Sequence, residues 1–157
     1  MSIETVRSYL AKWNRDKDII ELSESTATVS SAAAALGVVP ARIAKTISVK
    51  QGAAAAVIVT SGDVKLDNHK YKDKFGVRVN MLTPQEALAI TGHPVGGICP
   101  FGLPVEVAVF LDLSLKRFHT VFPACGSNNS AIELTLNELE EYSRNKEWVD
   151  VCVQYML

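Results

Sequence analysis

The chain has 157 residues, with 16 basic and 17 acidic side chains and a net charge of −1. That length suits one domain around a single core, and the balanced charge provides no overall field for a nucleic acid or a membrane, so any polyanion contact must rest on a local patch. Cys99, Cys125 and Cys152 are too few and too far apart for a disulfide framework or a zinc pair. No leader-like apolar segment opens the chain, and no run of about 18 uncharged apolar residues occurs. A single-domain protein (1–157), soluble and cytoplasmic with free thiols, is expected.

Ile3, Val6, Leu10 and Trp13 recur at helical spacing after Ser2, which predicts an amphipathic helix over 2–14. DIIELS follows as a short strand. TVSSAAAALGV reads as a small helix closed by Gly37, and Pro40 opens a single turn. IAKTISVKQGAAAAVIVTSGD reads as two strands joined near Gln51-Gly52. LDNHKYKDKFG is a charged helix ending at Gly76, and VRVNML is the next strand. In TPQEALAITG, Thr83 and Glu86 form a capping-box pattern, Pro84 takes the first helical position and Gly92 the C-cap. VEVAVFLD, HTVFPA and AIELT are strands, with LSLKRF a turn or short helix between the first two. TLNELEEYSR is a helix with a second capping box, Thr135 and Glu138, and WVDVCV is a last strand. Short connections near residues 51 and 125 argue against a purely parallel plan, which needs crossovers. The expected fold is mixed α/β, a mixed sheet with helices around it.

No GxSxG elbow, HExxH pair, Walker lysine or dinucleotide fingerprint is present. His69, His93 and His119 share no metal-ligand spacing, so each reads as a surface or loop residue, and neither metal nor cofactor is expected. Lys45 stands out. Period-2 alternation puts it with Ile43, Ile47 and Val49 on the more apolar face of its strand. The plain account is an ammonium snorkelling to water; the functional one is a lysine at a cavity mouth, holding a phosphate or polarising a carbonyl. The loop TGHPVGGICPFGLP, residues 91–104, holds four of the nine glycines and three of the six prolines. It is either a rigid connector or a main-chain cradle in which Gly96 and Gly97 bring N–H groups close to a ligand. Lys65, Lys70, Lys72, Lys74 and Arg78, beside Asp67 and Asp73, are a solvated helix face or a phosphate contact.

In this order the segments TVSSAAAALGV, ARIAKTISVK, GDVKLD, GHPVGG followed by PFG, FLDLSL and CGSNNSAIELTLNEL resemble the YbaK/EbsC family, the prolyl-tRNA-synthetase-associated editing domain, over residues 26–143. The resemblance implies a mixed α/β fold with a strongly curved central sheet surrounded by helices. It also implies a cytoplasmic hydrolase that removes a wrongly attached amino acid from the 3′ aminoacyl-adenosine end of a tRNA. The implied site residues are Lys45, Gly96 and Gly97 as catalytic groups, with Gly92, Pro94, Gly126 and Asn128 also binding substrate. With no synthetase domains attached, a free-standing editor acting in trans is expected, on a tRNA that includes tRNA-Pro among its candidates, with a synthetase as a potential partner. Ala131 and Ala124 stand where the cysteine-removing branch carries aspartate and serine, while Asn128 matches other branches, so the amino acid is open among Cys, Ala, Ser and Thr. The competing reading is a non-catalytic module that holds an aminoacyl group or small metabolite.

The chemistry is coherent with the residues. A synthetase separates small side chains by only about 1–3 kcal/mol per methylene, so a second sieve is useful. An aminoacyl ester is already activated, and its hydrolysis can rely on a positioned water and backbone donors without a protein nucleophile.

Overall fold

The computed structural model describes residues 2–154. Its helices arise where local signals agree. Val6 and Leu10, one turn apart and fully buried, fix the inner face of α1 (Ser2–Leu10). A 3-10 turn, Ala11–Trp13, extends it to Asn14, and Trp13 lies 4.6 Å, centroid to centroid, from Tyr142. Helix α2 (Val29–Leu36) starts on a reciprocal cap between Thr28 and Ser31 and ends at Gly37. Asp67 caps α3 (Asn68–Phe75), which closes at Gly76. In α4 (Pro84–Thr91) the Glu86 N–H donates to the Thr83 hydroxyl at 3.2 Å and the Thr83 N–H to the Glu86 carboxylate at 2.9 Å. The same box starts α5 (Leu136–Ser143) with Thr135 and Glu138. Each box satisfies two of the donors a helix start leaves open.

The strands are β1 (Ile20–Glu21), β2 (Ile43–Gln51), β3 (Ala54–Ser61), β4 (Val64–Leu66), β5 (Ala108–Asp112), β6 (Thr120–Pro123), β7 (Ser130–Ala131), β8 (Leu134–Thr135), β9 (Glu147–Val149) and β10 (Cys152–Gln154). A six-stranded sheet runs β8-β6-β2-β3-β5-β9, and β1-β7 and β10-β4 form two small antiparallel pairs. The sheet is mixed: β2–β3 and β6–β8 are antiparallel, while β2–β6, β3–β5 and β5–β9 are parallel. It curls strongly into a half-barrel with helices around it, as the resemblance implies.

Strand β3 is buried from Ala55 onward because both its faces are covered. Val57 and Val59 join Val6, Leu10, Leu111 and Leu139 in the larger core. Ala56 and Ile58 face Tyr71, Phe110 and Val149 on the other side. A third, smaller cluster joins Ala32 and Ala33 of α2 to Ile43 and Phe122.

Four strand expectations change in extent. VRVNML alternates well but forms no named strand: it pairs with β2 as an isolated bridge of Met81 to Val49, and Val77 and Met81 remain exposed. In VEVAVFLD the first residues form a turn, with the Val107 N–H on the Pro104 carbonyl at 3.0 Å, so the strand starts at Ala108. AIELT is divided between β7 and β8, which pair with different strands. WVDVCV splits into β9, on the main sheet, and β10, on β4. The break lies at Val151, whose N–H is held by the buried Asp112 carboxylate at 3.0 Å.

Candidate functional site

The cavity that matters lies along one edge of β2. On its other edge β2 is paired with β3 from Ala44 to Gln51. On this edge β6 covers only Ile43 and Ala44, and the chain around Met81 returns at Ser48 to Lys50: the Lys50 N–H donates to the Asn80 carbonyl at 2.7 Å and the Leu82 N–H to the Ser48 carbonyl at 3.1 Å. Between these, no strand lies across from residues 45–47 among the described residues. Main-chain groups of alternate residues point to the same edge, so those of Thr46 face the gap, as those of Ser48 and Lys50 face residues 80–82. The gap opens into a cavity of about 420 Å³ walled by α2, the start of α4, the segment around Gly96 and the β6–β7 connection.

Lys45 lines this cavity together with Gly96. Its side chain is half-buried, on the face of Ile43 and Val49 that alternation predicts, and it donates a hydrogen bond to the main-chain carbonyl of Val64 on β4. The ammonium is thus fixed by the fold rather than left to sample solvent. No Asp, Glu, His or Cys lines the cavity among the described residues, so Lys45 is the ionisable side chain on its wall.

The glycine-rich loop divides its labour. Gly92 caps α4 with φ of 78°, its N–H on Leu88 at 2.9 Å. Pro94 is exposed, and its carbonyl accepts the Gly97 N–H at 2.9 Å. That bond commits the Gly97 amide to a turn, so Gly96 is the loop glycine that meets the cavity. Gly96 has φ of 94°, a region side chains rarely adopt. Gly97 is buried because a Cβ there would lie 2.6 Å from the Ser127 nitrogen and 2.7 Å from the Gly126 carbonyl carbon. The absent side chain lets this loop press against residues 126–127. Gly126 in turn sits against Ser2 of α1, and the exposed Asn128 accepts the Thr26 N–H on its carbonyl at 2.6 Å. Gly92, Pro94, Gly97, Gly126 and Asn128 are not among the residues that line the cavity, whereas Lys45 and Gly96 are.

His93, read from the sequence as a surface or loop residue, is in the loop but fully buried. Its Nε2 lies 2.8 Å from the Phe101 carbonyl. A carbonyl only accepts, so Nε2 carries the proton and Nδ1 accepts from the Ser2 hydroxyl. This neutral imidazole pegs the loop to α1. Burial pushes its pKa below the ordinary 6.5, opposed by the bond to Phe101. A depressed histidine pKa means the unfolded chain binds the proton more readily, so the stability it contributes is complete above pH 6.5 and is lost as pH falls from there through the folded-state pKa. Thermal melts of the wild type should fall across that window. In His93→Gln the fall should be shallower; an equally steep fall would assign it to other groups.

No thiol lines the cavity among the described residues. Cys99 is fully buried and outside the cavity lining, its pKa pushed up to about 12 by burial. Burial likewise raises Cys125 and Cys152. In the basic segment, Lys70 pairs with Asp150 at 3.1 Å and Lys74 with Glu147 at 2.6 Å, contacts that fit a solvated helix face.

Several lining residues carry no signal in the sequence. Thr26, Thr46, Phe122 and Ile98 converge from four separate segments. Thr46 had one available clue, its place beside Lys45, but alternation assigned it simply to the more polar face.

Residues 23–142 match the aminoacyl-tRNA editing domain family. The chain is 52% identical to YwhH, an uncharacterized protein of Bacillus subtilis, over 97% of this chain and 98% of that one. It is 29% identical to EbsC of Enterococcus faecalis, described as a candidate Cys-tRNA(Pro)/Cys-tRNA(Cys) deacylase, over 71% of this chain and 70% of that one. Among solved structures, one described as a candidate trans-editing enzyme for prolyl-tRNA synthetase superposes with a TM-score of 0.85 at 26% identity, covering 96% of each chain.

Proposed function

This chain belongs to the aminoacyl-tRNA editing domain family, and from that premise we propose that it is a trans-acting deacylase that hydrolyses the ester joining a small amino acid to a mischarged tRNA. The observation that carries the reading is the meeting of Lys45 and Gly96 on the wall of one cavity, in a stretch where the β2 edge is open. A volume of about 420 Å³ is at the lower end of small-ligand pockets, roughly 300–1,000 Å³, and suits an aminoacyl group with part of its ribose.

The residues define the chemistry by what they supply. With no acid, imidazole or thiol on the wall among the described residues, the cavity offers no thiol nucleophile, no carboxylate or imidazole base, and no such base to activate its serine and threonine hydroxyls. An aminoacyl ester needs neither if water attacks a carbonyl whose developing negative charge is already met by a fixed positive group. Lys45, held in place through Val64, supplies that charge or orients the terminal adenosine. Gly96 gives this part of the wall its positive φ, where a Cβ would also press on Ala27 at 3.1 Å. The likeness to a trans-editing enzyme for prolyl-tRNA synthetase supports mischarged tRNA-Pro as a substrate and a synthetase as a partner.

The test is a deacylation screen of the purified chain against Cys-, Ala-, Ser- and Thr-esters of tRNA, tRNA-Pro included. Faster release of at least one amino acid than in buffer is expected. No acceleration of any ester overturns the proposal, and tight binding without turnover would establish the non-catalytic module instead. Cys99→Ala should hydrolyse the preferred ester at the wild-type rate, because its thiol is protonated, buried and away from the cavity; loss of activity in a folded Cys99→Ala protein would contradict the absence of a nucleophile.

A further inference from the structure

The bond that holds the Lys45 ammonium ends on the Val64 carbonyl, and the chain reaches Val64 through a short turn, residues 61–63, that joins β3 to β4. Three separate segments fix this turn. Gly62 lies so close to the residues before β2 that a Cβ on it would fall 2.1 Å from the Pro40 carbonyl oxygen, and the Ser61 N–H donates to the Ser114 hydroxyl at 3.1 Å. Asp63, only 7% exposed, takes the Arg117 guanidinium in a two-pronged bond, Nη1 to Oδ2 at 2.9 Å and Nη2 to Oδ1 at 2.6 Å. The same Nη2 donates to the Ser61 hydroxyl at 2.7 Å, whose single proton serves the Ala41 carbonyl at 2.6 Å or the Asp63 carboxylate at 2.8 Å. The side-chain amide of Gln154, on β10, adds a longer bond to Oδ2 at 3.3 Å. Arg117 holds the Asp63 carboxyl below the usual carboxylate range, so the pair is ionised at neutral pH.

Neither Asp63 nor Arg117 lines the cavity, yet their bond bears on it. A forked guanidinium on a carboxylate sets direction as well as distance, so the turn has one geometry and the Val64 carbonyl, one residue past Asp63, has one place. The stem of a lysine is flexible, and the position of its charge is decided by the acceptor that holds it. The chain of contacts runs from Arg117 to Asp63, along the main chain to the Val64 carbonyl, and across to the Lys45 ammonium. Resting on the deacylase reading above, we propose that Arg117 and Asp63 are positioning residues: their clamp on the β3–β4 turn sets the Val64 carbonyl and, through it, where the Lys45 ammonium meets the substrate. They act through Lys45 and touch no substrate themselves.

The experiment uses two mild variants. Asp63→Asn keeps the shape and leaves a guanidinium that water can reach, the Arg117 side chain being 41% exposed; Arg117→Lys keeps the charge but loses the fork. Single-turnover hydrolysis of the ester found by the screen should slow by roughly 10- to 100-fold in both, the scale of a misplaced catalytic group, with circular dichroism and a cooperative melt retained. Added to Lys45→Met, Asp63→Asn should cost nothing more, because the group it positions is already gone; a purely structural role would add its loss in full. A second readout needs no turnover. Labelling with acetic anhydride, followed by mass spectrometry, should modify Lys45 severalfold faster in either variant than in wild type, because an amine released from a fixed acceptor reacts more readily. Unchanged Lys45 labelling in folded Asp63→Asn, or an undiminished loss on the Lys45→Met background, overturns the proposal. A loss in Arg117→Lys with Asp63→Asn fully active also overturns it, and assigns Arg117 to a direct phosphate contact. If no ester is hydrolysed yet Lys45 labelling rises in both variants, the clamp on Lys45 stands and the deacylase reading falls.

Discussion

Lys45→Met is expected to lower deacylation by roughly 10²–10³-fold, the loss typical of removing one preorganised group that meets charge developing in a transition state, while the protein remains folded. Methionine keeps an unbranched apolar stem beside Ile43 and Ile47 and removes only the ammonium. The fold loses the bond to the Val64 carbonyl, at a cost of roughly 1–3 kcal/mol if that carbonyl is left dry. A chain of this size commonly retains its native state after such a loss. The measurement is single-turnover hydrolysis of the ester identified by the screen, with circular dichroism and a thermal melt alongside. A folded Lys45→Met protein with the wild-type rate would remove Lys45 from the chemistry and leave it as a β2–β4 strut. A rise in KM alone, with the rate at saturation kept, would assign it to binding the terminal adenosine rather than to the reacting carbonyl.

The second large effect concerns the scaffold. Gly97→Ala places a Cβ within 2.6–2.8 Å of the main-chain atoms of Gly126 and Ser127. Those atoms are backbone in a segment tied down immediately after them: Asn129 donates its side-chain amide to the Leu22 carbonyl at 2.9 Å, and the Asn128 carbonyl accepts the Thr26 N–H. They cannot turn aside as a flexible side chain would. Overpacking of this kind costs about 1–3 kcal/mol or more, which in a domain of this size lowers Tm by roughly 2–4 °C per kcal/mol. The alternative response is a displaced loop, which would move Gly96 out of the cavity wall and reduce activity with little change in Tm. Val105→Ala, at a fully exposed position just past the same loop and outside the cavity lining, is the control and should do neither. Wild-type stability and activity together in Gly97→Ala would show that the close approach is dispensable.

Much of this architecture is legible before any coordinates because it depends on neighbours in sequence. The caps at Thr83 with Glu86 and at Thr135 with Glu138, and the helix ends at Gly37, Gly76 and Gly92, are decided by hydrogen bonds and φ values within a few residues. The β2–β3 hairpin around Gln51-Gly52 is equally local. The lysine and the GHPVGG element are legible as a combination, since their chemistry and order resemble one family. The strands were less so. VRVNML, AIELT and WVDVCV each have the composition of a strand, but pairing depends on which distant edge is available, and only short portions of them find one.

Helix limits, hairpin, polar and apolar faces, and the residues that identify the family were thus set by short-range rules written into the chain itself. The tertiary structure alone decided that β2 would be left uncovered between β6 and Met81, and that Gly97 would serve packing while Gly96 met the cavity. It also decided that Thr26 and Thr46, twenty residues apart in the chain, would both line one cavity. The reason is physical: edge coverage, cavity walls and close packing are properties of the whole assembled surface, and a residue in a strand or loop has the same local propensity whichever distant segment it meets.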